Sequence, residues 1–171
     1  MATTFLRGKR TTLRPISQTD APLLIEWNND PETRKYLGRN FPLSELDEKA
    51  WIEKVSIVSK HPSDIVLIVE SLDTKEAVGI IGLHSIDWVN RNATTGTMLG
   101  TGHRSKGLAT DAKMALLEYA FETLGMHKIT SRAFSANVKS IEYSKRCGYE
   151  VVAILKDDIF REGTWQDVTL L

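Results

Sequence analysis

The run Arg104-Ser-Lys-Gly-Leu-Ala-Thr110, followed without a break by the amphipathic stretch Asp111-Ala-Lys-Met-Ala-Leu-Leu-Glu-Tyr-Ala-Phe-Glu-Thr-Leu124, constrains this chain more than any other feature. Gly107 and Ala109 let a backbone approach a ligand closely. Consecutive N–H groups in such a turn form an anion-binding concavity, and the first turn of the helix behind adds its positive dipole end. The segment therefore predicts a phosphate cradle opening a helix over Asp111 to Leu124, with a pyrophosphate-bearing cofactor as its guest. A Walker-type loop is excluded, because Gly102 to Gly107 is followed by Leu108-Ala109 and not by Lys with Ser or Thr. A dinucleotide fingerprint fails as well: Gly100-Thr-Gly102-His-Arg-Ser105 puts serine where the third glycine belongs, and no repeating strand–helix alternation surrounds it.

A second segment lies downstream, Ala136-Asn137-Val-Lys-Ser140-Ile-Glu-Tyr-Ser144-Lys-Arg-Cys-Gly148-Tyr149. The Arg-x-x-Gly-x-Ala pattern of the first segment resembles the acyl-CoA loop of the GNAT superfamily of N-acyltransferases. The second resembles that family's segment from Asn-x-x-Ser to Gly-Phe/Tyr, in the expected order and at the expected distance. Leu13-Arg-Pro15, Trp27-Asn-Asn-Asp-Pro31, Gly79-Ile-Ile-Gly82 and Gly163-Thr-Trp-Gln-Asp167 are similar to the branch that holds ribosomal-protein N-terminal acetyltransferases and spermidine acetyltransferases. The likeness thus extends over nearly the whole chain.

With 171 residues, one domain over 1–171 is expected, large enough to bury a core without a metal or disulfide staple. The 22 basic and 22 acidic residues balance, which leaves no broad electrostatic footprint for nucleic acid or an anionic membrane. Met1-Ala-Thr-Thr-Phe-Leu-Arg lacks a signal-peptide core and no run approaches a membrane span, so a soluble cytoplasmic protein is expected. Cys147 is the only cysteine, which excludes an intrachain disulfide, and its place before Gly148 suits a small packed residue. His61, His84, His103 and His127 show no zinc-like spacing; each is read as structural and no metal is expected.

Periodicity predicts a strand over Thr11 to Ile16, helices over Asp20 to Asn28, Pro31 to Leu37 and Glu45 to Lys60, and a hairpin of strands Ile65 to Glu70 and Ala77 to Ser85. Ala93 to Leu99 pairs next. After the cradle and its helix come a strand over Lys128 to Phe134, a helix over Val138 to Cys147, and two long strands around Arg161-Glu-Gly163. The order predicts an α/β class, and the resemblance implies the GNAT fold, a mixed, mostly antiparallel sheet with helices on both faces.

The resemblance also implies a chemistry: acetyl transfer from acetyl-CoA to a primary amine, by direct attack in a ternary complex, since no activated Cys or Ser triad is visible. In the family the pantetheine arm pairs like an added strand with the backbone at Thr97, Met98 and Leu99. Backbone N–H groups of Ser105, Lys106, Gly107, Leu108, Ala109 and Thr110 would hold the pyrophosphate. Arg104 and Lys106 would add charge-assisted contacts, Lys106 being equally readable as a solvated loop charge. Asn137 would touch the cofactor arm and also cap the next helix.

On that helix Ser140 and Ser144 share a face, while Tyr143 projects roughly 100° away from Ser144. Spermidine acetyltransferases and many relatives carry a proton-donating tyrosine where Ser144 stands; ribosomal-protein acetyltransferases have serine at the position of Ser140. Ser140 or Ser144 is therefore expected to protonate the departing thiolate, with Tyr143 as a core or lip residue. Trp27, Asn28, Asn29 and Asp30 are expected on the substrate lip, and Asp87, Trp88, Asn90 and Arg91 in an opposing turn. Both tryptophans can also be packing residues and Asp30 a helix cap.

Thr94 stands where spermidine acetyltransferases commonly carry Glu. An α-amine with a pKa of about 7.7 to 8.0 needs only about 1 kcal/mol to become neutral at pH 7, against roughly 4.6 kcal/mol for a lysine-like amine. A protein or peptide N-terminal α-amine is therefore the expected acceptor, with a polyamine or antibiotic amine second. A catalytically silent acyl-CoA-binding module is the rival from another class. The acyl chain and a homodimeric assembly stay open at this point.

Overall fold

The structure, a computed structural model, describes residues 3–37, 41–57 and 59–171. Eight strands form one sheet: β1 (Leu6–Arg7), β2 (Thr11–Pro15), β3 (Ile65–Ser71), β4 (Ala77–Asp87), β5 (Asn92–Leu99), β6 (Lys128–Phe134), β7 (Ala153–Arg161) and β8 (Thr164–Leu170), in the spatial order β1-β2-β3-β4-β5-β6-β8-β7. Neighbours run antiparallel except β5 and β6. That parallel pair extends only from Asn92 to Thr95 against Lys128 to Ser131, after which β6 turns to β8 at Arg132 to Phe134. Gly96 to Leu99 stay paired with β4 on one side and, among the described residues, have no strand partner on the other. Backbone N–H and C=O groups along that edge of β5 are therefore free of the ladder and call for another partner.

The alternation of side chains along each strand feeds two cores, one per face. On one face α1 (Ala21–Asn29) and α3 (Glu45–Ser56) bring Leu24, Trp27 and Ile52 onto Val66 and Ile68, with Ile80 and Met98 at the margin. Between them α2 (Pro31–Arg34) makes a single turn. On the other face α4 (Leu108–Glu118) and α5 (Val138–Arg146) cover Leu13, Val69, Val78, Ile81 and Leu99 with Leu108, Ala112, Leu116 and Cys147. Helices on both faces agree with the expected architecture.

Several boundaries differ from the sequence expectation, among them α2, which ends at Arg34 and not Leu37, and β4, which runs on to Asp87. The two-residue β1 is too short to show alternation and was not anticipated. The helix behind the cradle starts at Leu108 and not Asp111, because Gly107 adopts φ 78° and hands directly into it. After Glu118 that helix widens into a π-turn over Tyr119–Thr123, closed by Leu124 N–H on Tyr119 O at 3.1 Å. The wide turn keeps Ala120 buried while Tyr119 rests edge-on against Phe5, ring centroids 5.2 Å apart. The helix expected to reach Lys60 ends at Ser56, Val58 lying outside the described residues. Beyond it Trp88 Nε1 donates to Pro62 O at 2.9 Å and packs edge-on to His61, drawing the segment onto the β4 end.

Candidate active site

The cradle is held from beneath by a carboxylate. Asp111, in the first turn of α4, accepts from the N–H groups of Lys9, Arg10 and Thr11 at 2.9 to 3.0 Å and from Thr11 Oγ1 at 2.7 Å, fixing the β1–β2 turn to the helix start. Gly107 at φ 78° and Ser105 at φ 62° bend the loop through the left-handed region, which glycine enters freely and serine does not. The first helical N–H groups, those of Leu108, Ala109 and Thr110, have no intrahelical acceptor, so an anion fits there. Arg10, which no motif flagged, donates to Lys106 O at 2.6 Å and lies beside Gly107.

Arg104, expected to contact phosphate, is engaged within the chain. Its Nε donates to Leu99 O at 3.1 Å and its terminal nitrogen to Thr33 Oγ1, so the guanidinium ties the end of β5 to α2. Lys106 reaches back to Gly102 O at 2.9 Å and remains exposed. Thr97 to Leu99 do form the unpartnered edge of β5, as expected of a strand-like partner for pantetheine. Asn137 caps α5, its Oδ1 accepting from Ser140 N–H at 3.2 Å.

The two serines and the tyrosine of α5 meet different surroundings. Ser144 is only 1% exposed, buried in the helix interface, and Ser140 is half-buried in the first turn. Tyr143, expected to be a core or lip residue, packs against the core and directs its hydroxyl to Thr97 Oγ1 at 3.1 Å and Ala109 O at 3.3 Å. The phenol thus stands between the open edge of β5 and the start of α4. Burial pushes its pKa up, only partly offset by the hydrogen bond it makes to Thr97, and the group stays a protonated donor.

Sequence reasoning also missed Lys113, which reads as a polar position of an amphipathic helix yet is 1% exposed. Its Nζ donates to Thr95 Oγ1 at 3.1 Å and sits 4.9 and 5.1 Å from the ring centroids of Tyr143 and Tyr149. Burial lowers its pKa from 10.5 to about 8. The charged form is therefore destabilising in the folded chain below that pH, and the penalty is relieved as pH rises from about 8 towards 10.5. Lys113→Met, of similar length and apolar, is expected to stabilise the fold by about 1–3 kcal/mol at pH 7 and by much less at pH 10, read by denaturant unfolding at both. A variant less stable than the native chain at both pH values would contradict this.

On the opposite face, the corner between α1 and α2 meets the loop after β5. A cavity of about 620 Å³ opens there between Glu26, Trp27, Asn29 and Asp30 and the segment Gly100 to His103. Trp27 is 7% exposed and packed so tightly on Gly100 that a Cβ there would lie 2.6 Å from its Nε1, so packing is its main role. Asn29 clamps Leu43 through both its amide and its oxygen at 3.0 and 3.1 Å. Asp30 caps α2 by accepting from Thr33 and also accepts from Thr101 Oγ1 at 2.6 Å. The Thr101 bond, followed by that of Thr33, holds its pKa down at about 2. Glu26, exposed at the cavity wall, was not anticipated.

Asp87 is not part of this site. It ends β4 at the end of β5 remote from the cofactor loop, and its carboxylate accepts from the N–H groups of Val89 and Asn90 and from the Asn90 amide at 2.7 to 2.9 Å. Those bonds, Asn90 N–H first, lower its pKa and fit a turn-capping residue better than a base.

The arrangement of a splayed sheet, a cradle and an edge strand has known counterparts. Residues 10–150 match the acetyltransferase (GNAT) domain family. A spermidine N(1)-acetyltransferase of Vibrio cholerae is 27% identical over 164 residues, covering 94% of this chain and 91% of that protein. A putative ribosomal N-acetyltransferase of Bacillus subtilis is 32% identical over 90 residues, 53% of this chain and 49% of the relative. The crystal structure of a spermidine N-acetyltransferase from Vibrio cholerae with CoA and spermine superposes with a TM-score of 0.86 at 24% identity, over 94% and 93% of the two chains. A chain with this sheet, this loop and a family match over most of its length belongs to the GNAT acetyltransferases and uses acetyl-CoA as its acyl donor.

Proposed function

We propose that the acceptor is a small polycationic primary amine of the polyamine class. The observation that carries this is the cavity beside the cofactor loop, where the carboxylates of Glu26 and Asp30 share one wall. Asp30, held ionised at any ordinary pH, and Glu26 supply negative charge for a cation extended from the reacting nitrogen. Spermidine acetyltransferases from Vibrio cholerae and Escherichia coli, among the relatives, align over more than nine-tenths of this chain. Glu26→Gln is expected to raise KM for spermidine roughly 2–5-fold, the worth of one exposed charge, while kcat stays within twofold. An unchanged KM would contradict the assignment.

A peptide α-amine is the second reading. Thr94 offers no carboxylate, and its hydroxyl shares a 3.0 Å hydrogen bond with Thr130. Asp87 cannot replace a base, its oxygens being engaged in the turn.

Bound acetyl-CoA supplies the activated thioester; the chain does the rest. The N–H groups of Leu108, Ala109 and Thr110 receive phosphate, the free edge of β5 at Thr97 to Leu99 aligns the arm, and the Tyr143 hydroxyl supplies the proton to the departing sulfur.

A further inference from the structure

A single row of side chains crosses the sheet on the face covered by α1 and α3. The register pairs His84 of β4 with Thr94 of β5 and Thr94 with Thr130 of β6, and Ile65 with Leu83 puts Asp64 beside His84. His84 Nδ1 and Asp64 Oδ1 are 3.0 Å apart. The imidazole leans along the strand towards the point where β5 and β6 part. A Cβ on Gly82 would come within 3.0 Å of His84 Nε2, and one on Gly96 within 3.1 Å. Gly96 is the first residue of β5 beyond its last pairing with β6. Two glycines thus make room for the ring to reach the vertex of the splay, and the side chain keeps 38% of its surface exposed.

We propose that His84 is the general base of the transfer, with Asp64 as the residue that positions it. The inference rests on amine acetylation as the reaction and holds for either acceptor. With the Asp64 carboxylate accepting from Nδ1–H, the neutral ring carries its lone pair on Nε2, at the vertex. The amine nitrogen bonds to the thioester carbonyl carbon and gives its surplus proton to Nε2. The C–S bond breaks with its electron pair on sulfur, which takes the Tyr143 hydroxyl proton. His84 then releases one proton to solvent and Tyr143 recovers one. The base and the acid approach from opposite faces of the sheet, on either side of β5.

Asp64 remains a carboxylate: desolvation pushes its pKa up, but hydrogen bonds from Ser63 and His84 outweigh it and the net direction is down. Among the described residues, the other charged groups that the register sets beside the row on this face include Lys128 and Arg132, which flank Thr130 on β6, and Asp87, which shares the neighbouring row with Asn92 and Lys128; Arg132 is paired with Asp158 and Asp87 with the Asn90 turn.

His84→Gln is expected to lower kcat about 100-fold with KM for acetyl-CoA within twofold, and to remove the fall in rate at acidic pH. Asp64→Asn is expected to lose about 10-fold and keep that fall. Added imidazole is expected to restore part of the rate to His84→Ala, whose cavity borders two glycines. In the acceptor-free protein, the ring 15N shifts of the neutral form of His84 are expected to show the proton on Nδ1 and the lone pair on Nε2. Native-like turnover and an unchanged acidic limb in His84→Gln, or a proton on Nε2 of the neutral ring, would overturn the proposal. Transfer by the native chain to neither spermidine nor a peptide would count against the acceptor assignment instead, while the 15N reading stands independently of any acceptor.

Discussion

Gly107→Val is expected to abolish the stabilisation that acetyl-CoA confers and to cost the fold itself about 1–3 kcal/mol. Gly107 sits at φ 78°, in the left-handed region that a β-branched residue avoids most strongly, and it is the residue from which α4 starts. Two outcomes follow for a valine there. Either the backbone keeps its path under strain, with a side chain over the cradle beside Arg10, or it relaxes and the N–H groups of Leu108 to Thr110 lose their common aim. Both remove the anion site. In the native chain a ligand at about 100 times its Kd stabilises by about 2.7 kcal/mol, visible as a shift in Tm. That shift should vanish in Gly107→Val and persist in Gly102→Ala, where a Cβ meets nothing within 4 Å. A full shift in Gly107→Val would mean that phosphate is bound elsewhere.

Tyr143→Phe is expected to lower kcat about 100-fold while KM for acetyl-CoA changes little. The hydroxyl is 3.1 Å from Thr97 Oγ1 at the open edge of β5, and its removal leaves the ring packed in place. A group whose contribution grows as charge develops on sulfur affects kcat more than binding, and about 100-fold is the lower end for acid catalysis because a thiolate leaves readily. Ser144→Ala is expected to keep turnover within about threefold, since the side chain is buried away from solvent. A silent Tyr143→Phe with a crippled Ser144→Ala would restore the serine that the sequence pattern favours.

The contrast between those two residues shows where sequence reading stops. A backbone demand leaves its mark in the letters: Gly107 announces a left-handed turn, Asn137 a helix cap, and the apolar run from Ile65 onward a buried strand. The side of a helix that meets the site depends on how that helix is rotated in the fold, and one residue step is about 100°. Tyr143 therefore meets Thr97 and Ala109 while Ser144, one residue on, is buried. Arg104 carries bonds that its motif does not foretell, because a carbonyl left by β5 and a hydroxyl of α2 lie within its reach. Lys113 hides in an amphipathic pattern, since one lysine in a helix gives no sign that two tyrosine rings will receive it. Asp64 and His84 are twenty residues apart and become neighbours only through the β3–β4 register. The capping role of Asp87 was closer to hand: Asp followed three residues later by Asn is a turn signal.

The acceptor assignment is tested most directly by a competition at pH 7, with limiting enzyme, acetyl-CoA, and equal concentrations of spermidine and a short peptide bearing a free N-terminus. The carboxylates of Glu26 and Asp30 predict that acetylspermidine dominates the products, and that Glu26→Gln narrows the preference. A product mixture dominated by the acetylated peptide, unchanged in Glu26→Gln, would contradict the polyamine assignment and return the acceptor to an α-amine.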